Sequence, residues 1–132
     1  MTPAMNVRLT VTEKEGGGII AELVFDNNGS GDVPLYIPNV PVGEEIDNDI
    51  FVITSGDVRA SYTGAYVKRS APTTDDFILV PAGQERRFAA DLTSAYDIPA
   101  SSGQRRCRYE AYHGDMDLFG RIFELRSNEV TF

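Results

Sequence analysis

The chain has 132 residues, 42% of them apolar, and no apolar run approaches the ~20 residues that a membrane-spanning helix needs. Its net charge of −8 repels phosphate backbones and anionic lipid, which argues against nucleic-acid and membrane partners. A single cysteine excludes an intrachain disulfide. We expect one domain over residues 1–132, a length that buries a substantial core.

The beginning of the chain, residues 1–11, has no basic region followed by an apolar stretch, so a secretion signal is not predicted there. The sequence therefore predicts a cytoplasmic protein, or a secreted one if a leader has been removed.

Apolar and polar residues alternate along most of the chain, which is typical of half-buried antiparallel strands. In the first such segment Val7, Leu9 and Val11 point one way, while Arg8 and Thr10 point the other. Five further segments repeat this pattern up to the last residues of the chain. The inward-facing set forms the predicted core: Val7, Leu9, Val11, Ala21, Leu23, Phe25, Phe51, Ile53, Phe88, Leu92, Cys107, Tyr109 and Val130.

Turn residues separate these segments, because glycine supplies positive φ angles and Asn and Asp tolerate them. The predicted turns are 13–18, 26–32, 54–57, 81–84 and 101–104.

A stretch with three prolines, residues 32–45, predicts an edge strand that runs into a long surface loop.

Helical signals are weak. Residues 91–99 predict one helical turn before Pro99, and Gly120 favours a loop or a bent strand over a helix in residues 114–127. The fold class is therefore predicted as all-β, an immunoglobulin-like antiparallel β-sandwich of about seven to nine strands.

Catalytic chemistry finds little support in the sequence. The zinc protease motif H-E-x-x-H needs two histidines, and His113 is the one histidine present. A triad that uses His113 would need a nucleophile, but no G-x-S-x-G motif is present and Cys107 alternates with core residues. We expect no catalytic residues and no cofactor, and an enzyme that uses His113 is the least favoured alternative.

Residues 26–32 offer a weak calcium-loop candidate, in which the ligands would be Asp26, Asn28, Ser30 and Asp32. The bidentate glutamate expected at position 12 is replaced by Ile37. A plain turn is therefore favoured, and no metal site is predicted.

The stretch Y-T-G-A-Y-V-K-R-S-A-P, residues 62–72, groups two tyrosines with two adjacent basic residues. Alternation predicts a strand with Tyr66 and Lys68 on one face, and Gly64 marks a bend or bulge. Lys68 and Arg69 are expected to pair with acids such as Asp75, Asp76 or Asp91. The candidate binding residues are Tyr62, Tyr66, Lys68 and Arg69.

The order of motifs in residues 49–112 carries a family resemblance. An F-x-I strand and a glycine turn precede Y-x-G-x-x-V-K-R, and D-L-x-x-A-Y-D follows before the last strand. This order resembles the N-terminal β-sandwich domain of the deuterolysin and peptidyl-Lys metalloendopeptidase family. In those secreted proteases the domain precedes the zinc catalytic domain and belongs largely to the propeptide. The catalytic domain and its H-E-x-x-H motif are missing from this chain.

The resemblance implies a non-catalytic protein-binding module, either a protease inhibitor or a folding assistant. Its partner would be a metalloprotease or another protein, and edge strands make a homodimer compatible with the fold. The alternative is a small-ligand module that binds carbohydrate through its tyrosines, or calcium through residues 26–32.

Overall fold

A computed structural model describes residues 3–99 and 104–132, and its regular structure is mainly antiparallel β. Eight of the strands in these ranges have four or more residues, which agrees with the predicted number, and the others are two-residue strands. The strands are β1 (Met5–Glu13), β2 (Ile19–Asn27), β3 (Val33–Tyr36), β4 (Phe51–Ser55), β5 (Val58–Arg59), β6 (Ser61–Tyr62), β7 (Phe77–Val80), β8 (Glu85–Asp91), β9 (Tyr96–Asp97), β10 (Arg105–Asp115), β11 (Arg121–Arg126) and β12 (Val130–Thr131). The helical elements are α1 (Met116–Phe119) and three 3₁₀ turns, Ile37–Asn39, Thr74–Asp76 and Leu92–Ser94.

Two larger sheets form the sandwich. The first has the order β1-β2-β8, and the second has the order β11-β10-β4-β5 with β12 also paired to β10. Two small sheets, β3-β7 and β6-β9, complete the pairing, and all these strand pairs are antiparallel. The all-β sandwich predicted from the sequence is confirmed.

The core lies between the two larger sheets. Ten of the thirteen predicted core residues are buried, and Val11, Phe88 and Val130 are partly buried against the same cluster. Alternation failed to identify a second set of core residues, because they lie on short strands, in loops or late in the chain: Leu35, Val40, Ile50, Val80, Ala95, Tyr96, Phe123 and Leu125.

The predicted turns connect the strands as expected where the structure describes them. The β1–β2 hairpin turns through Gly16 and Gly17, whose φ angles of 91° and 94° favour glycine. The turn predicted at residues 101–104 falls almost entirely outside the described residues. The proline-rich stretch forms β3 and then a long loop, as predicted.

The helical predictions need one correction. The turn before Pro99 is confirmed by the 3₁₀ helix Leu92–Ser94. Residues 114–127, expected to be a loop or a bent strand, instead form α1 followed by β11. The Asp115 side chain caps α1 by accepting hydrogen bonds from two backbone N–H groups, and Gly120 ends it with a φ of 70°.

The outer edge of β1 is covered by the segment that follows β11, in which Ser127 forms an isolated parallel bridge to Val7 and Asn128 bonds to Leu9. The Leu9 N–H donates to Asn128 Oδ1 at 2.8 Å, and Asn128 Nδ2 donates to the Leu9 carbonyl at 3.1 Å. The amide of Asn128 thus makes the pair of bonds that a neighbouring strand would make. In the described ranges, helices are too short or too polar to cross a bilayer.

Candidate functional site

Residues 63–72 have no regular secondary structure, so the strand predicted there is wrong beyond Tyr62. The Tyr62 hydroxyl donates to the Ala65 carbonyl at 2.6 Å. The Tyr62 ring lies so close to Gly64 that a Cβ at that position would be 2.7 Å from it. This local contact turns the chain out of the sheet, and the predicted bend at Gly64 is confirmed.

Three tyrosines, Tyr66, Tyr62 and Tyr96, form a row from the surface to the core. We call this row the tyrosine corner, a name that here means these three side chains and not the Greek-key motif of the same name. The ring of Tyr66, 85% exposed, packs edge-on against Tyr62 at 5.4 Å between centroids. Tyr62 packs on buried Tyr96 at 5.5 Å in the same geometry. The exposed ring therefore rests on partners that belong to the fold.

The inner end of the corner is fixed by hydrogen bonds. The Tyr96 hydroxyl donates to Asp49 Oδ1 at 2.8 Å and accepts from the Phe51 N–H at 2.9 Å. Burial raises the pKa of Tyr96. Burial, with smaller contributions from Asp47 and other neighbours, also raises the pKa of Tyr62, so both hydroxyls remain donors at neutral pH.

The basic residues of the candidate site differ in their environments. Arg69 Nη2 lies 3.2 Å from Asp47 Oδ2. Lys68 is exposed, and within the described part of the chain it has no ion-pair partner. The prediction that Lys68 and Arg69 pair with Asp75, Asp76 or Asp91 is therefore wrong.

Two of those aspartates hydrogen-bond locally instead. Asp76 accepts from the Thr73 N–H in a capping box. Asp91 accepts from the Thr93 hydroxyl and N–H, which lowers the pKa of its carboxyl group. Asp47 could not be predicted as the partner of Arg69, because it lies in the long loop after β3 and only the tertiary fold brings the two together.

That loop is anchored by side-chain amides. Asn48 Nδ2 donates to Asn39 Oδ1 at 2.8 Å and to the Pro38 carbonyl at 3.2 Å. Asn39 Nδ2 donates in turn to the Tyr112 carbonyl of β10 at 2.8 Å. The loop thus holds Asp47 and Asp49 beside the tyrosine corner.

His113 is only 1% exposed and both of its ring nitrogens are occupied. Nδ1 accepts from the Tyr36 N–H at 2.9 Å, which places the proton of the neutral ring on Nε2. Nε2 then donates to the Tyr109 hydroxyl at 2.6 Å, and that hydroxyl donates to the Asn39 carbonyl at 2.6 Å. Burial lowers the pKa of His113 to about 3.

The other candidates for chemistry are similarly enclosed. Cys107 is buried, and burial raises the pKa of its thiol to about 12, so the reactive thiolate is suppressed. Across residues 3–99 and 104–132, no three His, Cys, Asp or Glu side chains group to hold a metal ion.

The weak calcium candidate coincides with a loop that an asparagine closes. Asn27 is buried and donates to the carbonyls of Gly31 and Val80, both at 2.8 Å. The sequence did not predict this role for Asn27. Asp26 lies on β2 and pairs with Arg8 at 3.5 Å. The other candidate ligands, Asn28, Ser30 and Asp32, are exposed, and calcium binding there stays the untested alternative to a plain turn.

Comparison with known proteins gives one informative relative. Over 105 residues, or 80% of this chain, the sequence is 31% identical to an extracellular protease of Aeromonas hydrophila. The match spans only 30% of that relative. No protein-family model matches the chain. The similarity supports a protease-related domain, and the finer resemblance to the deuterolysin propeptide stays a prediction.

Proposed function

We propose that the chain is a non-catalytic module that binds a protease, and that the tyrosine corner with Lys68 is its contact surface. The observation that carries this proposal is the similarity of most of the chain to less than a third of an extracellular protease. A domain related to only that portion of a protease is suited to contact the remainder of such an enzyme.

The chemistry of the corner suits a protein contact. Tyrosine is enriched among the few interface residues that dominate binding energy. The ring of Tyr66 already packs against Tyr62, so less conformational freedom is lost when a partner covers it. Exposed Val67 and Lys68 follow directly and add an apolar and a cationic contact.

A non-catalytic role is supported by the environment of the groups that could do chemistry. His113 uses both ring nitrogens inside the fold, and its lowered pKa leaves it a poor base at neutral pH. The Cys107 thiol is buried and its pKa is raised. Neither residue offers a substrate an accessible reactive atom.

The experiment uses the part of the Aeromonas hydrophila protease that lies outside the aligned region. Its binding to this chain is measured by calorimetry for the wild type, Tyr66→Ala and Tyr112→Ala. Tyr112 is the matched control, because it is 60% exposed on β10, outside the corner. We expect Tyr66→Ala to weaken binding by about tenfold or more and Tyr112→Ala to change it less than about twofold.

Absence of binding, or equal losses in the two variants, contradicts the proposal. The finer roles separate in two further assays with the same proteins. An inhibitor lowers the rate of peptide hydrolysis at stoichiometric ratios, whereas a folding assistant raises the yield of active protease on refolding.

A further inference from the structure

We propose that the peptide bond between Lys68 and Arg69 is a processing site, cut by an endoprotease that recognises a basic side chain. The consequence for partner binding rests on the proposed function, whereas the position of the cut does not.

The backbone around this bond is available to a protease. Within the described part of the chain, residues 64–72 make no backbone–backbone hydrogen bonds. Residues 65–71 are all exposed. Proteases bind substrates as extended segments whose N–H and C=O groups pair with the enzyme, and exposed loops are preferred sites of nicking.

The two basic side chains differ in what they can offer to a specificity pocket. Arg69 is held by Asp47 at 3.2 Å, so it must leave an ion pair to enter a pocket. Lys68 is exposed and has no ion-pair partner among the described residues. A specificity pocket with a carboxylate at its base therefore accepts Lys68 in preference to Arg69.

The reaction is ordinary hydrolysis. The hydroxyl of water adds to the Lys68 carbonyl carbon and the C–N bond to Arg69 breaks. Lys68 then ends in a carboxylate, and the new amino group of Arg69 takes up a proton.

The strand pairing predicts that the sandwich stays folded after this cut. Strands β1–β6 lie before the bond and β7–β12 after it, yet four of the eight strand pairs join the two halves. Those pairs are β2–β8, β3–β7, β4–β10 and β6–β9. The nicked protein therefore remains one folded particle of two interleaved fragments.

The cut changes the contact surface, however. Tyr66 then lies two residues from a free end, and the segment loses its connection to the Arg69–Asp47 ion pair. We expect the nicked module to bind its protease at least about tenfold more weakly, because the ordering of Tyr66 is lost.

Limited proteolysis with trypsin tests the position, since trypsin accepts both Lys and Arg. Intact masses over a time course of the full chain should show a first cut after Lys68. Lys68→Gln should slow that cut by about tenfold or more. Arg69→Gln should leave it equal or faster, and Lys14→Gln, in the exposed β1–β2 turn, should leave it unchanged. A first cut elsewhere, including after Arg69, overturns the proposal.

Size-exclusion chromatography and circular dichroism of the nicked protein test whether the fold survives the cut. Co-elution of both fragments with a β-sheet spectrum is expected, and separation or unfolding overturns the claim that the fold survives. Unchanged affinity of a nicked, folded module overturns the link to binding. Failure of the proposed function itself appears separately, as absence of protease binding by the uncut chain.

Discussion

Tyrosines occur in two clusters of opposite character, one around His113 and the other at the tyrosine corner. In the cluster around His113, the Tyr109 hydroxyl donates one short hydrogen bond and accepts another, and the residue is fully buried. At the corner, burial decreases stepwise from Tyr96 through Tyr62 to Tyr66. In the interior cluster the Tyr109 hydroxyl satisfies a buried network, whereas the corner leaves the Tyr66 ring exposed.

Exposure and satisfied hydrogen bonds, more than residue type, therefore distinguish the interior cluster from the corner. Both clusters meet the same long loop, since Asn39 accepts from Tyr109 and Asp49 accepts from Tyr96. Loss of the buried Tyr109 side chain should therefore destabilise the protein strongly, and loss of the exposed Tyr66 side chain should leave it folded.

The largest expected effect is that of Tyr109→Ala. Removing this buried ring also leaves His113 Nε2 and the Asn39 carbonyl without their partner, so we expect a loss of about 3–5 kcal/mol in unfolding free energy. Urea denaturation measures it, and Tyr112→Ala on the exposed face of β10 should cost less than about 0.5 kcal/mol. Similar losses in both variants would remove the distinction between interior and surface.

A second test uses pH. The folded pKa of His113 lies near 3, below its usual 6.5, so between these values the unfolded chain binds more protons than the folded one. This contribution is complete above pH 6.5 and declines as pH falls, by up to about 1.4 kcal/mol per unit. Denaturation at pH 7, 6 and 5 should show the decline in the wild type and a flatter profile in His113→Gln. Parallel profiles would contradict the assignment.

The smallest expected effect is at Gly64. A Cβ there meets the Tyr62 ring at 2.7 Å, so Gly64→Ala should displace the ring and cost about 1–2 kcal/mol. Gly31→Ala is the control, because nothing lies within 4 Å of its Cβ position. Thermal denaturation gives the cost, and protease affinity should fall as it does for Tyr66→Ala. A variant with unchanged affinity would show that the corner tolerates disorder.

Sequence periodicity predicted β1, β2 and β10 well, because their buried residues alternate with partly buried or exposed ones. It failed for β7, where F-I-L-V lacks alternation, and β3 was predicted from its prolines and not from alternation. It also extended β6 too far, since the Tyr62 hydroxyl bond to Ala65 competes with the sheet. The candidate residues Tyr62 and Tyr66 do lie together, but the partner of Arg69 comes from a loop whose position only tertiary contacts decide.

The amide of Asn128 at Leu9 has a consequence for self-association. An open strand edge is a template on which copies of a chain can add, and β1 would be such an edge along nine residues. Any incoming strand must first break both bonds between Asn128 and Leu9. The bridge from Ser127 to Val7 and the amide of Asn128 together block this edge of β1 against the addition of another copy of the chain.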